Sequence, residues 1–125
     1  MKIKTRKTTE WITVKDADGN EAQFLVEPIT PKENSELLRK YSKKYTEGNR
    51  VHDDSNFFGF KMEKINRVIK DWKMIEDANG TPMECNKENK EIAYLYNAEL
   101  IDAALDKADE LAKFKLDQSE TSLKN

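Results

Sequence analysis

Apolar and polar residues alternate early in the chain and recur at helical spacing further along it. Glu10–Lys15 and Glu21–Glu27 alternate and are rich in β-branched or aromatic residues, a pattern typical of strands. The segment between them, Asp16–Asn20, is dense in turn formers. The pattern therefore predicts an antiparallel β-hairpin at about residues 10–27. Since an isolated hairpin is barely stable in water, we expect one side of it to pack on helices.

A helix is predicted to begin soon after the hairpin. Thr30 is a suitable N-cap, Pro31 fits the first helical position, and Glu33 completes a capping box. This helix is predicted over about residues 31–45. Residues 46–56, which follow it, have no apolar period and indicate an exposed loop.

A second helix, predicted over about residues 57–72, has the clearest apolar period of the chain. Its apolar residues recur at steps of four, three, four and three, which places them on one side of a helix. They are Phe58, Met62, Ile65, Ile69 and Trp72. We therefore predict that Ile69 and Trp72 are buried and that a short extended piece follows. Trp11 also lies on an apolar pattern, so we predict that it packs in the core.

A third helix is predicted over about residues 87–96, with Asn86 as its N-cap. Asn97 then interrupts the helix and can cap a fourth one. The apolar residues of the third helix form one cluster. They are Ile92, Leu95 and Tyr96.

The fourth helix, over about residues 98–116, carries an apolar seam that continues almost to its end. Because this helix is longer than a small core can easily cover, we expect part of the seam to bind a protein, either a second copy or a helical partner. The alternative is that the helix lies fully across its own domain. The seam consists of Ile101, Ala104, Leu105, Ala108, Leu111 and Ala112.

Together these elements predict a single α+β domain, mostly α-helical with an N-terminal β-hairpin, over residues 1–117. Residues 118–125 are polar and are predicted to form a flexible tail. Apolar and charged residues each make up 37% of the 125 residues, and the mean hydropathy is −0.90. A composition this poor in apolar residues provides only a small hydrophobic core, which favours burial against another chain, including a second copy in a homo-oligomer.

Charge and cysteine usage narrow the class of protein. The net charge of −2 argues against a general nucleic-acid-binding protein. Residues 1–15 nevertheless carry five basic residues and one acidic residue, which suits an acidic partner or a solvated tail. The single cysteine, Cys85, excludes an intrachain disulfide. No apolar run approaches the length of a membrane span, and no signal peptide is recognisable, so we expect a cytoplasmic protein without membrane contact.

Two groups of polar residues resemble metal sites. Asp16, Asp18, Asn20 and Glu27 match four positions of a calcium loop, but its glycine and its flanking helices are missing, so a hairpin turn is favoured. His52–Asp54 places the histidine beside two acids in a polar loop, without further ligands nearby in sequence.

Catalytic signatures are not found in the sequence. Cys85 precedes a helix start, a position that can lower the pKa of a thiol, but no second histidine is present to act as its base. The four glycines are isolated, so there is no glycine-rich phosphate loop. We therefore predict a protein that is not an enzyme, with no catalytic residue, no metal site and no cofactor.

The order of these pieces resembles the tail assembly chaperones of long-tailed bacteriophages and prophages. Those proteins begin with a strand pair, continue through a proline-capped helix and end in helices. In that family a tryptophan followed by an Asp-x-x-Gly turn often precedes the helical C-terminal half, as Trp72–Gly80 does here. The Lys124–Asn125 ending is also common there.

The resemblance implies a protein that coats the tape-measure protein in the cytoplasm of a bacterial host before the tail tube polymerises around it. Apolar helix faces and oligomerisation would do this, without catalysis. The expected partner is the tape-measure protein or another tail protein. One alternative is a structural component of a phage tail or baseplate, and a second is a small metal-dependent enzyme that uses His52 and the adjacent acids.

Overall fold

The computed structural model describes residues 1–3, 5–53 and 55–123, without the side chains of residues 44–46, 52 and 113–123. The fold is α+β, as predicted. Its elements in chain order are β1 (Glu10–Lys15), β2 (Glu21–Val26), α1 (Pro31–Tyr41), β3 (Lys44–Glu47), β4 (Arg50–Asp53), α2 (Phe57–Val68), β5 (Ile69–Lys73), α3 (Lys87–Tyr96) and α4 (Ala98–Leu123).

The predicted N-terminal hairpin is confirmed. β1 and β2 pair antiparallel in a register that places Glu10 opposite Val26. The turn between them is closed by Asp16, whose carboxylate accepts hydrogen bonds from the backbone N–H groups two and four residues further on. Gly19 takes a φ of +83°, a conformation that glycine adopts without steric cost.

A third strand, β5, joins the sheet where the sequence predicts the end of a helix. It pairs antiparallel with β2, which gives the strand order β1-β2-β5. The pairing skips Lys70, so this residue forms a β-bulge. The bulge turns Ile69 and Trp72 to the same buried face although they are three residues apart. The predicted helix over 57–72 is therefore wrong beyond Val68, because a spacing of three fits a bulged strand as well as a helix.

The core lies between the inner face of this sheet and the helices. The rings of Phe24 and Trp72 meet edge to face, with centroids 6.4 Å apart and planes at 85°. The indole Nε1 of Trp72 donates a hydrogen bond to the carbonyl oxygen of Met83 at 2.7 Å. Ile69 and Trp72 are buried, as predicted. The helices α2 and α4 contribute Ile65, Val68, Ile101, Ala104, Leu105 and Ala108 to the same core.

Trp11 is on the outer face of the sheet, so the prediction that it packs in the core is wrong. The alternation along β1 places Val14 inside and Trp11 outside, where the indole is 42% exposed. The ammonium group of Lys73 lies 4.2 Å from the centroid of its ring, a cation–π contact.

The helix α1 begins as predicted and ends early. The capping box is present, with the side chain of Thr30 accepting from the N–H of Glu33 and the carboxylate of Glu33 accepting from the N–H of Thr30. The helix ends at Tyr41, and β3 and β4 then form a two-stranded hairpin over much of the predicted loop 46–56. The described side chains of that hairpin are exposed. Because these side chains are not buried, the sequence has no apolar period there from which the strands could be predicted.

The break between α3 and α4 falls at the predicted place. Asn86 caps α3 by accepting from the first turn, and Asn97 ends the helix with a φ of −140°. The carbonyl oxygen of Asn97 then accepts from the N–H of Leu100 at 3.1 Å, at the start of α4. The helical backbone of α4 continues to Leu123, beyond the predicted end, and takes in most of the segment predicted to be a flexible tail.

Glu63 joins α1 to α2. One oxygen of its carboxylate accepts from the ammonium of Lys40 at 2.7 Å and from the hydroxyl of Tyr41 at 2.8 Å. The other oxygen pairs with Arg67, one turn further along α2. These contacts hold the pKa of Glu63 below its ordinary value of 4.5, and the hydrogen bond from Lys40 contributes most to this lowering.

Replacing Trp72 with alanine should lower the free energy of unfolding by about 3–5 kcal/mol, because it removes a buried aromatic side chain and leaves a cavity beside Phe24. Urea denaturation followed by circular dichroism measures this change. Trp11→Ala is the matched control, since it removes an indole from the surface, and it should cost about 1 kcal/mol or less. Equal costs for the two variants would contradict the described core.

Glu63→Gln should make unfolding less sensitive to acid. Because the pKa of Glu63 is lower in the folded protein than in the unfolded chain, its contribution to stability is complete above about pH 4.5 and is lost as the pH falls through the folded-state pKa. The native protein should therefore lose more stability than the variant between about pH 6 and pH 3. The exposed Glu36→Gln on α1 serves as the control, and a variant of Glu63 that follows the native pH profile would contradict the described contacts.

Candidate protein-binding groove

Most of the α4 seam belongs to the core of its own chain. Among its residues, Leu111 and Ala112 are half-buried and keep accessible surface. The other four have almost no surface with which to contact a partner, so the expectation of partner binding is corrected for them: the fourth helix lies across its own domain along this stretch. A contact at Leu111 and Ala112 stays a prediction. The four core residues are Ile101, Ala104, Leu105 and Ala108.

The helix α3 carries a cluster of exposed apolar residues. Ile92, Leu95 and Tyr96 are 45%, 55% and 80% exposed. Their spacing of three and four places them on one side of α3, and Lys90 and Ala93 are the buried residues of this helix. The sequence identifies these three residues as one cluster, but it does not show that the cluster faces away from the core.

This side of α3 forms one wall of a groove of about 800 Å³, which we call the α3 groove. The β1–β2 turn and the segment after β5 form the other side. In that segment Met74 is 61% exposed and takes a φ of +65°, which is uncommon for a bulky residue and redirects the chain out of the sheet. Further apolar lining comes from Ile75, Met83, Ala98, Leu100 and Ala103.

The charged residues around the α3 groove are mostly acidic. Of the described residues that line it, four are carboxylates and one is a lysine, Lys15, which pairs with Glu21 at 3.3 Å. A hydrogen bond from the side chain of Asn20 is the largest of several that lower the pKa of Asp16, which keeps this carboxylate ionised. The four acidic residues are Asp16, Glu21, Glu76 and Glu99.

On each of the two outer strands, one backbone group is bound by a side chain. On β5 the N–H of Trp72 donates to the carboxylate of Asp71 at 2.8 Å. On β1 the carbonyl oxygen of Thr13 accepts from the ammonium of Lys107. These contacts disfavour the addition of another strand to the sheet.

The exposed apolar residues and the acidic residues of the α3 groove together make it suited to bind apolar side chains with basic residues beside them.

The calcium-loop candidate is not assembled by the fold. Asp16 lies in the hairpin turn, whereas Glu27 lies at the opposite end of the hairpin, 3.9 Å from Lys7, so the calcium-loop positions are not brought together. The side chain of His52 and all of Asp54 lie outside the described residues. Within the described part of the chain, no group of three or more His, Cys, Asp or Glu residues is placed to hold a metal ion. No described helix is long and apolar enough to cross a membrane.

Cys85 is half-buried near the start of α3. Burial raises the pKa of its thiol, which is opposite to the direction suggested by a nearby helix start, although the positive charge of Lys90 offsets part of the effect. Burial also lowers the pKa of Lys90, which is 8% exposed. The thiol is thus mostly protonated at neutral pH, and this form is a poor nucleophile.

Comparisons of the chain with protein-family models, with curated proteins and with solved structures gave no match. The resemblance to tail assembly chaperones is therefore an expectation from the sequence.

Leu95→Asp should leave the protein folded and nearly as stable as the native protein, because Leu95 is 55% exposed in the α3 groove. The same change at Leu105, which is 2% exposed, places a charge in the core and should unfold the domain. Thermal unfolding followed by circular dichroism distinguishes the two variants. Severe destabilisation by Leu95→Asp would contradict the placement of α3.

Proposed function

We propose that this chain is a non-enzymatic assembly chaperone of a long-tailed bacteriophage, which holds helical segments of the tape-measure protein in the α3 groove. The observation that carries the proposal is the exposed apolar side of α3, formed by Ile92, Leu95 and Tyr96. The order of sequence elements that resembles tail assembly chaperones supports the choice of partner.

The size and shape of the α3 groove suit one side of an amphipathic helix. A volume of about 800 Å³ holds several apolar side chains. A helix offers such side chains at steps of three and four residues, which matches recognition of a helix by an apolar groove. The acidic rim favours a helix with lysine or arginine beside its apolar residues.

A single groove of this size gives weak binding, and a chaperone that coats a long protein can use weak binding. When several copies bind neighbouring segments of the same partner, many weak contacts together keep the whole length of the partner covered. The lean composition of the chain, with 37% apolar residues, also favours burial against partners.

The proposal is tested by co-expressing the affinity-tagged chain with fragments of the tape-measure protein of the same phage. We expect the native chain to retain the fragments and Leu95→Asp to lose them, because the aspartate puts a charge into the apolar wall. Phe57→Asp is the matched control, since Phe57 is 62% exposed but does not line the groove, and this variant should bind as the native chain does.

Retention of the fragments by Leu95→Asp, or the same loss of binding in both variants, would contradict the proposed site. Mass spectrometry of purified virions separates a chaperone from a structural tail component. The chain should be absent from virions if it is a chaperone, and its presence in many copies would favour the structural alternative.

A further inference from the structure

We propose that, when no client is bound, the α3 groove is occupied by the segment Met1–Arg6 of a second copy of this chain. The self-association depends on the groove alone. Competition between this segment and a client also rests on the proposed function.

The sequence of the segment has two different sides. It reads Met-Lys-Ile-Lys-Thr-Arg, so apolar or neutral residues alternate with basic ones. In an extended chain, alternate residues lie on opposite sides, which gives one apolar side and one basic side. Met1 and Ile3 are 72% and 73% exposed, so their apolar surface is not used by their own domain.

The α3 groove is complementary to this segment in both polarity and charge. Its exposed apolar residues, Met74 and Leu95 among them, can cover Met1 and Ile3. Its rim carries four carboxylates and one lysine, which attract a basic chain. The segment and the groove also carry charges of opposite sign in a protein whose net charge is only −2.

The described residues of the segment do not line the groove of its own chain. The ammonium of Lys7 lies 2.7 Å from the carboxylate of Glu33, at the end of the hairpin opposite the groove. The intervening strand β1 spans about 17 Å at 3.3–3.4 Å per residue. To enter its own groove, the segment would have to reverse direction and run back along this strand, whereas a second copy can supply the segment without that reversal.

Two arrangements of copies satisfy this contact. Because the segment and the groove lie at opposite ends of the hairpin, two antiparallel copies can exchange segments in a closed dimer. In the other arrangement each copy donates its segment to one neighbour and receives a segment from another. Contacts of this kind produce rings when the rotation closes and open chains when it does not. A client that fills the groove displaces the segment and ends the self-association at that copy.

The first test is charge reversal, followed by sedimentation velocity without any client. Lys2→Glu combined with Arg6→Glu should weaken self-association by about tenfold or more, since attraction to the rim becomes repulsion. Glu76→Lys combined with Glu99→Lys should weaken it similarly. Mixing the two variants should restore association, because the reversed segment then meets the reversed groove and the native segment of the second variant meets the native groove of the first. A native chain that stays monomeric up to about millimolar concentration, or a mixture that does not associate, would overturn the proposal.

The second test locates the contact by chemical cross-linking, with Cys85→Ser in all proteins. Chains carrying Ile3→Cys are mixed with chains carrying Tyr96→Cys and treated with a short bismaleimide. Heterodimers joined through these two positions should form. Phe57→Cys replaces Tyr96→Cys in the control, which should give few heterodimers. Equal cross-linking to both positions would overturn the assignment of the groove.

Both tests are made without a client, so they measure self-association whether or not the proposed function is correct. Leu95→Asp should weaken both client binding and self-association, because Leu95 contacts the bound segment in either case. Loss of client binding with intact self-association would overturn the inference on the segment and leave the proposed function standing. A chain without residues 1–6 that still binds the client and no longer self-associates supports both of them.

Discussion

The contact between Trp72 and Phe24 under the bulge at Lys70 holds the sheet, the helices and the groove in one arrangement. The bulge brings Ile69 and Trp72 to the same face, so a strand that directly continues a helix contributes both residues to the core. The N–H of Glu27 donates to the carbonyl oxygen of Val68 at 2.8 Å, which fixes the end of α2 beside β2. The indole then binds the carbonyl oxygen of Met83 and holds the segment that forms one side of the α3 groove.

The distribution of apolar surface follows from this arrangement. The inner face of a three-stranded sheet is small, and α2 and α4 cover it with residues such as Ile65 and Leu105. The helix α3 inserts Ala93 and the stem of Lys90 into the same core, and both are buried. Its longer apolar side chains, Ile92 and Leu95, therefore face outward. An apolar helix side next to a groove with an acidic rim is the feature of this molecule that calls for a protein partner.

Sequence patterns identify the elements of this fold that have local signals. The hairpin follows from alternation and turn residues, α1 from the capping box at Thr30, and the break at Asn97 from its capping chemistry. The strand β5 has no such signal, because the spacing of Ile69 and Trp72 continues the period of the preceding helix. The choice between helix and strand is made there by pairing with β2, a contact between residues more than 40 positions apart.

The site was harder to predict than the fold. A helical period shows that a helix has an apolar side, but not whether that side faces its own core or a partner. The seam around Leu105 and the cluster around Leu95 have similar sequence patterns. The seam is buried against the rest of the domain, whereas the cluster is left exposed. The acidic rim is drawn from the hairpin turn, the segment after β5 and the start of α4, so its residues are brought together only by the fold.

Amide hydrogen exchange followed by mass spectrometry tests most directly whether α3 binds proteins while the α4 seam is core. The dilute chain is compared with the associated chain or with the chain bound to a client fragment. We expect slower exchange at residues 74–76 and 92–97 on association, and slow exchange at residues 101–108 in both states. New protection confined to residues 101–112, with no change in α3, would contradict a binding surface on α3.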